Sequence, residues 1–417
     1  MTAVKNKVLS EKVVLHRNAF AIRGGVDYRR KVYATFLIAP LFLFLVVALV
    51  IPVGGIFWYA VSNSDLNNAL SKTAEALKGW GGTELPAEPA FSALADDLRM
   101  ARVAGKLPEL GVRLNREKAG FGSLLRRTAR KLPDAEGSGK RELLVGIDAR
   151  WGDIDYWRSL YGATGIATPK YLLAAVDLQR NWDGSLTRVP AEQRVFLEGF
   201  LRTLVIAFVV TCICLAVGYP LAFILSEATG VKGRVLLALV VLPLWTSVLA
   251  RTAAWMVLLQ QQGVVNDVLI RLGIVEQPLE LIFNRTGVYI GMVHVLLPFM
   301  TLPLYGAMKG VPKNQLQAAS SLGARPLTSF ITVYIPQTLP GIASGTLMVF
   351  IIAIGFYITP ALVGGPDDQM ISGQISRFAI QSGNWGMAAA LSIWLTVCIL
   401  MLLLAFGRFL RLGGSIQ

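Results

Sequence analysis

Apolar residues gather into six long stretches, at roughly 33–60, 200–225, 235–259, 286–308, 340–363 and 388–408, and the chain between them is polar. A helix needs about 20 apolar residues to cross a bilayer. Lipid offers a bare backbone no partner, so each stretch must be helical. The pattern predicts six membrane-spanning helices. Prolines interrupt several of them: Pro40, Pro52, Pro220, Pro243, Pro298, Pro303 and Pro360. A soluble helix would lose about 3 kcal/mol for each. Membrane helices tolerate the kink where neighbours or water satisfy the freed carbonyl. The first stretch begins after about thirty residues and is too long for the apolar region of a cleaved signal, so it is expected to stay as an anchor.

One long polar interval, 62–195, separates the first span from the other five. It is mostly compatible with helix, for example over 91–105 and 168–180, with turns at Gly81 and Gly82 and around 134–139. Trp151, Trp157 and Trp182 fall in its second half together with Tyr156, Tyr161 and Tyr171. That grouping predicts a compact cap with a looser stretch near 132–140. The interval has no cysteine, so no disulfide staples it.

Composition agrees with a membrane protein. Of 417 residues, 54% are hydrophobic and only 16% charged, against ~25% in an ordinary soluble domain. A disordered chain is excluded and a soluble enzyme is disfavoured. The 40 Lys and Arg against 26 Asp and Glu give a net +14. No basic stripe with interleaved aromatics accompanies that charge, so nucleic acid is not expected as a partner.

The charge is better read as topology. Residues 1–31 carry eight basic and two acidic side chains ahead of an apolar run, which places the N-terminus in the cytoplasm. Six spans return the C-terminus, with Arg408 and Arg411, to the same side. The loops near 226–234, with Lys232 and Arg234, and 309–338, with Lys309, Lys313 and Arg325, are then cytoplasmic. The opposite loops, near 260–285 and 364–387, hold Asp267, Glu276, Glu280, Asp367 and Asp368 with three arginines. Residues 62–195 lie outside as well. Their 20 basic residues do not contradict this, because long translocated loops escape the charge rule. The expected organisation is a basic cytoplasmic segment 1–31, helix 1 over 32–61, a mainly helical external insert 62–195, helices 2–6 within 196–410, and a cytoplasmic tail 411–417.

No catalytic constellation is present. Cys212, Cys214 and Cys398 lie in apolar runs and read as buried, inert thiols. Three cysteines exclude a disulfide framework and a four-cysteine zinc site. His16 lies in the basic tail, and His294 lies inside span four as a hydrogen-bonded helix residue. There is no glycine-rich phosphate loop, so the chain binds no ATP through a motif of its own. No serine–histidine–aspartate spacing and no metal-ligating cluster occur. The sequence predicts neither an enzyme nor a cofactor on this chain.

The informative segment is cytoplasmic. It reads Gln317-Ala318-Ala319-Ser320-Ser321-Leu322-Gly323-Ala324 and then Val333-Tyr334-Ile335-Pro336. This is a short helix, a glycine stop and a second helix. Gly323 suits a left-handed helix end, and Pro326 suits the first turn of the next helix. Small Ala318 and Ala319 let another surface approach closely, while Phe330 and Val333 offer apolar anchors. A helix-turn-helix knob of this kind is a docking element. The pattern alone also allows an ordinary interhelical loop.

This segment resembles the EAA loop of the inner-membrane permeases of bacterial ABC importers. The family pattern is Glu-Ala-Ala, three residues, Gly, nine residues, Ile, one residue, Leu-Pro. Gly323, Val333 and Ile335-Pro336 fall at that spacing, between spans four and five of six. Gln317 stands where the family usually has Glu, which removes one charge from the contact. The stretch from Pro243-Leu244-Trp245-Thr246-Ser247 to Arg251-Thr252 and Trp255 is similar to span three of the spermidine/putrescine-type permeases. So are Gly218-Tyr219-Pro220-Leu221-Ala222, Leu297-Pro298-Phe299, Pro360-Ala361-Leu362-Val363-Gly364-Gly365-Pro366 and Asn384-Trp385-Gly386. The resemblance covers roughly 196–410 plus span one. The external insert departs from the shorter members.

The resemblance implies an all-α integral membrane fold. It has six transmembrane helices of the MetI-like, type I importer kind, with the insert in the periplasm between helices 1 and 2. It implies a permease subunit of a binding-protein-dependent ABC importer in the bacterial inner membrane, taking up a small organic solute of the putrescine or spermidine class. Related importers carry opines, amino-acid derivatives, iron or other small solutes. The implied partners are an ABC ATPase dimer, which holds ATP and Mg, a second related permease, and a periplasmic solute-binding protein. Residues 311–338 would be the coupling loop, with Gln317, Ala318, Ala319, Leu322, Gly323, Ala324, Phe330, Val333 and Pro336 at the ATPase contact.

The solute path is less marked. Arg251 lies about sixteen residues into span three, or ~24 Å along a straight helix at ~1.5 Å per residue. That count puts it in the outer half of the membrane, where a charge is a functional candidate. Snorkelling or pairing with a neighbouring helix is the alternative. Beside Thr246, the side chains of Trp245, Trp255 and Tyr357 can offer aromatic faces to an ammonium group, or serve as packing. Asp367 and Asp368 stand at the outer mouth, where they can attract cations or simply be solvated. Two other classes are weighed on sequence and disfavoured, since the stretch after span six is short and no carboxylate lies deep in a span. A receptor with an external sensor would need a cytoplasmic signalling module. An ion-coupled transporter would favour carboxylates inside the spans.

Overall fold

A computed structural model describes residues 33, 35–133, 139–165, 167–181 and 184–414. The basic segment 1–31 with His16, most of the stretch near 132–140, Trp182 and the last residues of the tail lie outside the described residues. The chain divides after Tyr59 into two units. The first holds most of helix α1 (Thr35–Val61), which has one π-turn at Val46–Val50 and is apolar on every face.

The second unit begins at Ala60 and opens with the polar insert. Eight short helices build it: α2 (Ser64–Ala69), α3 (Ser71–Ala76), α4 (Glu88–Val103), α5 (Leu107–Asn115), α6 (Phe121–Lys131), α7 (Lys140–Ile147), α8 (Ile154–Thr164) and α9 (Lys170–Ala174). All but α4 are too short to be stable alone, so tertiary packing holds them. In α6, Phe121, Leu124, Leu125, Thr128 and Ala129 are buried at helical spacing, while Arg126, Arg127, Arg130 and Lys131 face out. Trp151, Trp157, Phe91 and Phe121 are completely buried at the centre of the cluster. The indole nitrogens there are satisfied: Trp151 donates to Thr128 Oγ1 at 2.8 Å and Trp157 donates to the Trp151 carbonyl at 2.9 Å.

Two acids hold this cluster. Asp97 is fully buried and accepts from both the backbone N–H (2.8 Å) and the hydroxyl (2.7 Å) of Thr73, tying α4 to α3. Burial pushes its carboxyl above the usual range, against the pull of those two donors. Asp148 receives Arg150 at 2.8 and 2.9 Å and Arg127 at 3.2 Å. The Arg150 guanidinium holds its carboxyl down at about 2.

Two expectations for the insert change. Residues 168–180 are not one helix. After α9 the chain turns into a two-stranded antiparallel ribbon, β1 (Leu178–Arg180) with β2 (Leu186–Arg188), pairing Gln179 with Thr187. The reversal follows Asp177, whose φ is +55°. Tyr171 also leaves the insert's aromatic group and packs with the membrane helices instead.

Those helices are α10 (Phe196–Glu227), α11 (Gly230–Val241), α12 (Val248–Leu258), α13 (Val264–Arg271), α14 (Arg285–Lys309), α15 (Lys313–Ser321), α16 (Pro326–Gly355), α17 (Ile358–Val363), α18 (Ile371–Ser376) and α19 (Trp385–Gly414). Among the described residues, α1, α10, α14, α16 and α19 are long and apolar enough to cross a membrane, and α11 with α12 make a sixth span if the bent pair is counted as one. The bundle centres on α14, clamped between α10 and α16. Small residues permit the close approach: a Cβ at Gly341 would stand 2.5 Å from Ala307 Cβ, and one at Gly345 would stand 2.9 Å from Met300 Sδ.

Span boundaries differ from the hydropathy reading in two places. Span three breaks at 242–247 with a bend of 98°. Span five starts earlier, at Pro326, and ends at Gly355 rather than continuing to 363. Phe356 and Tyr357 interrupt it before the short α17. Apolar composition measures affinity for lipid, and it does not record where the backbone turns.

The insert is fastened to the end of the bundle that precedes α19. Arg116 donates to the Ser382 carbonyl at 2.7 Å, and Trp394 donates to the Leu172 carbonyl at 3.0 Å. Arg113 bonds Asn63 (2.7 Å) and Glu117 (3.0 Å) and stacks its guanidinium 5.3 Å above the Tyr171 ring. Lys170 completes the group on Glu117. Tyr171 packs against Gly386, where an added Cβ would stand 2.5 Å from the ring.

Candidate functional site

The segment from α15 to the start of α16 projects from the bundle. No residue of α15 is buried. Gln317 and Ala318 are exposed, and Ala319 is half-buried. The helix stops at Leu322, and Gly323 follows with φ +86°, a left-handed conformation that L side chains seldom take. Its N–H returns to the Ser320 carbonyl at 3.0 Å, and Ala324 N–H returns to Ala319 at 3.1 Å. Arg325 is extended, and Pro326 opens α16 in its first turn. The sequence expectation for this turn therefore holds in detail.

Its anchors are distributed differently. Phe330 does not face outward. It stacks on Tyr334 (centroids 5.3 Å, 16° between planes) and meets Tyr219 and Phe223 edge-on at 6.3 and 5.7 Å. Val333 is half-buried and Pro336 begins the continuous part of the span. These residues root the projection in α10. Tyr219 and Thr338 reinforce the root through a 3.0 Å hydroxyl pair. At the other end Lys309 donates to the Ser226 carbonyl (3.2 Å) and Lys313 pairs with Glu227 (2.9 Å). The most exposed apolar groups of the segment are Leu322, 90% exposed, and Leu327, 70% exposed. Leu327 has no mark in the sequence pattern. A position one residue after a helix-starting proline carries no periodic signal to mark it.

The second feature is the broken span. Leu242–Trp245 forms a turn of 3-10 helix, and Thr246 and Ser247 carry the chain to α12 at the sharp bend. Trp245 and Thr246 are exposed there. The Thr246 hydroxyl returns to the Pro243 carbonyl at 2.8 Å, and Arg251 Nη2 donates to the Thr246 carbonyl at 3.2 Å. The depth of Arg251 counted along a straight helix is therefore superseded, because the second half of the span points elsewhere. Trp255, one turn later, donates from Nε1 to His294 Nδ1 on α14 at 3.1 Å. His294 is a hydrogen-bonded helix residue, as expected, and its bond ties the two spans. Thr252 and Thr359 share a 3.1 Å hydroxyl contact that joins α12 to α17. The two interrupted spans thus pack against each other just past their breaks. Tyr357 stands at the second break, partly exposed.

Asp368 is not a free anion at a mouth. It is buried, accepts from Arg285 Nε at 2.9 Å and from the Gly365 N–H at 3.3 Å, and locks the turn after α17 onto the start of α14. Phe283, at φ +58°, donates its N–H to the Val363 carbonyl at 2.8 Å in the same clasp. Asp367 stays exposed. Opposite charge alone could not have paired Arg285 with a residue so far along the chain. Among the described residues no group of His, Cys, Asp and Glu is placed to hold a metal.

Residues 191–410 match the family described as binding-protein-dependent transport system inner membrane component. The chain belongs to this family. The permease is 36% identical over 218 residues to the spermidine/putrescine transport system permease protein PotB of Escherichia coli (strain K12), covering 52% of this chain and 79% of that one. It is 38% identical over 200 residues to PotB of Haemophilus influenzae (strain ATCC 51907 / DSM 11121 / KW20 / Rd), with 48% and 70% covered. A crystal structure of a bacterial alginate ABC transporter, in complex with an alginate-pentasaccharide-bound periplasmic protein, aligns over 52% of the permease and 79% of the matched chain, with 19% identity and a TM-score of 0.44. The protein is thus a multi-pass membrane permease. The matched region begins at residue 191, so nearly all of the insert lies ahead of it.

Proposed function

We propose that this permease is one transmembrane subunit of an ATP-driven importer that takes up a small organic amine of the polyamine class, putrescine or spermidine, delivered by a periplasmic solute-binding protein. The solute class rests on similarity to the PotB proteins. The importer mechanism rests on one structural observation: α15 and its glycine turn stand clear of the bundle, yet are rooted by Phe330, Tyr334 and the Lys313–Glu227 pair. Residues 311–338 are the coupling loop. They dock on a partner ATPase, which carries ATP and Mg. Movement at Gln317, Ala318, Ala319, Leu322, Gly323 and Ala324 passes through the aromatic root to α10 and α16 and switches the access of the pathway.

In this reading both termini are cytoplasmic, the insert is periplasmic, and a second related permease completes the pathway. Trp245, Thr246, Arg251, Trp255 and Tyr357 belong to the pathway region around the two breaks, with Asp367 near its outer end. The insert, fastened at Ser382 and Gly386, offers a platform for the binding protein or steadies the permease pair.

The test is uptake of labelled putrescine and spermidine at low external concentration, in cells with and without this chain. Loss of uptake that returns with the intact gene is the expected result. Unchanged uptake with expression verified would remove the polyamine assignment. Uncoupling of ATP hydrolysis from transport by Gly323→Trp tests the importer mechanism separately.

A further inference from the structure

The insert meets the bundle at a charged cluster that does not balance. Arg113, Arg116 and Lys170 gather around one carboxylate, Glu117. Arg113 takes that carboxylate at 3.0 Å and Lys170 takes it from the other side. Lys170 Nζ also reaches the Arg116 carbonyl at 3.4 Å. Arg116 itself donates to the Ser382 carbonyl at 2.7 Å and has no carboxylate within ion-pair distance among the described residues. Burial, with the Arg113 charge beside it, pulls its guanidinium below the usual range, against the opposite influence of Tyr171 and Glu117. A half-buried charge without a counter-charge is costly. The next acids along the insert are already engaged: Asp153 and Asp155 hold Lys118, and Asp155 also holds Arg158.

Two apolar spans end at this cluster. Helix α1 closes at Val61, whose carbonyl accepts from the Thr168 N–H at 2.7 Å, and Asn63 just beyond it accepts from Arg113 at 2.7 Å. Helix α19 opens at Trp385, directly after the turn that holds Ser382. Trp58 and Tyr59 on one span and Trp385 on the other are aromatic residues of the kind that mark the headgroup level. The cluster therefore stands at the depth of lipid phosphates. The chain ahead of it cannot complete the charge. Residues 1–59 hold only Glu11 and Asp27 as acids, and both precede the 27-residue helix whose other end meets Asn63.

We propose that Arg116 and Lys170, beside Arg113, bind the phosphate of an anionic phospholipid in the leaflet on the insert's side. Once Glu117 is counted, two positive charges remain. A phosphodiester without an ammonium group of its own matches them better than a zwitterionic headgroup. The Arg116 guanidinium is a planar fork suited to two phosphate oxygens. Lys170 adds a compact charge, and at 43% exposure its side chain is within reach of a headgroup. Charge-assisted bonds of this kind are about twice as strong as neutral ones. A lipid held there would staple the insert to the bundle through α5, α9 and the turn before α19.

The experiment uses the full chain, purified in detergent with the subunits that accompany it, and native mass spectrometry with added phosphatidylglycerol or phosphatidylcholine. The parent should retain phosphatidylglycerol about fivefold better than phosphatidylcholine. Arg116→Gln with Lys170→Gln should cut that retention about twentyfold, at about fivefold for each charge removed. Arg116→Lys should keep most of it. Arg126→Gln with Arg130→Gln, on the exposed face of α6, controls for total charge and should leave retention unchanged. Phosphatidylglycerol should raise the melting temperature of the parent and not that of the Arg116→Gln, Lys170→Gln protein. Should that double variant fail to fold, Lys170→Gln alone decides, because Arg113 still holds Glu117 in it, and about a fivefold loss is expected. Equal retention of the two lipids would overturn the proposal, as would equal retention by parent and variant. Displacement of phosphatidylglycerol by inorganic phosphate would overturn it in favour of a site for a soluble anion. A carbodiimide crosslink from Lys170 to an acid of another subunit would overturn it in favour of a protein partner.

Discussion

The indole N–H of Trp255 donates to Nδ1 of His294 across 3.1 Å, with the two rings edge-on at 5.4 Å. Tryptophan can only donate, so this bond fixes the histidine tautomer with its proton on Nε2. It also joins the second half of the broken span to the central helix of the bundle. Trp255→Phe keeps the ring and removes the donor, leaving Nδ1 unpaired. The expected loss is about 1–3 kcal/mol, read as a lower melting temperature of the purified protein. Adding His294→Leu to Trp255→Phe should recover part of that loss. Strictly additive losses in this cycle would mean the bond contributes nothing.

Leu322 and Leu327 are the most exposed large apolar side chains of the segment proposed as the coupling loop. A glutamate at either position faces solvent in the isolated chain, so stability should change by no more than about 0.5 kcal/mol. Retention of the ATPase on purification should fall sharply. A variant that binds the ATPase normally would remove these two leucines from the contact.

Gly323 has open space around the position of a Cβ, so its constraint is purely conformational. Asparagine tolerates the left-handed region and β-branched residues do not. Gly323→Asn should therefore keep transport-coupled ATP hydrolysis, while Gly323→Val should lose most of it. Equal activity of the two would refute the role of this turn.

Gly386 and Tyr171 occupy each other's space. Gly386→Ala should clash with the ring, costing about 1–3 kcal/mol, and should loosen the insert. A lower melting temperature of the purified protein offers the readout. Tyr171→Leu combined with Gly386→Ala should restore much of the loss. If Gly386→Ala alone is silent, the fastening is weaker than its geometry implies.

Asp148 predicts a pH dependence. Its carboxyl sits at about 2 in the fold, below the ordinary 3.8. A depressed value stabilises the fold above the ordinary pKa, and the stabilisation is lost as pH falls from about 4 towards 2. It amounts to about 2 kcal/mol. Asp148→Asn should melt lower than the parent at pH 7, and the gap should close across that acid window. A gap that closes between pH 7 and 5 would assign the effect to another group.

Apolar composition alone located the membrane-spanning region, because transfer into lipid depends on residue type and not on neighbours. The left-handed stop at Gly323 and the helix start at Pro326 were equally legible, since both are local backbone preferences. The same holds for the tryptophan-rich core of the insert, apart from Tyr171. The site beyond the turn was legible only in part. Phe330 and Val333 look like docking anchors in a one-dimensional pattern, yet Phe330 faces Tyr219 and Phe223 on a helix about a hundred residues earlier. Asp368 looks like a free acid until Arg285 is seen beside it.

The sequence by itself determined that this chain is a multi-pass membrane protein with a helix-glycine-helix turn, through side-chain hydropathy and local backbone preference, and its motifs carried the resemblance to importer permeases. Only the tertiary structure decided where span three bends, which aromatics root the turn at Gly323, how Arg251 reaches back to the Thr246 carbonyl, and how the insert is pinned at Gly386. Those outcomes depend on residues distant in sequence meeting in space. Hydrogen-bond geometry and steric fit at such meetings have no counterpart in composition or periodicity.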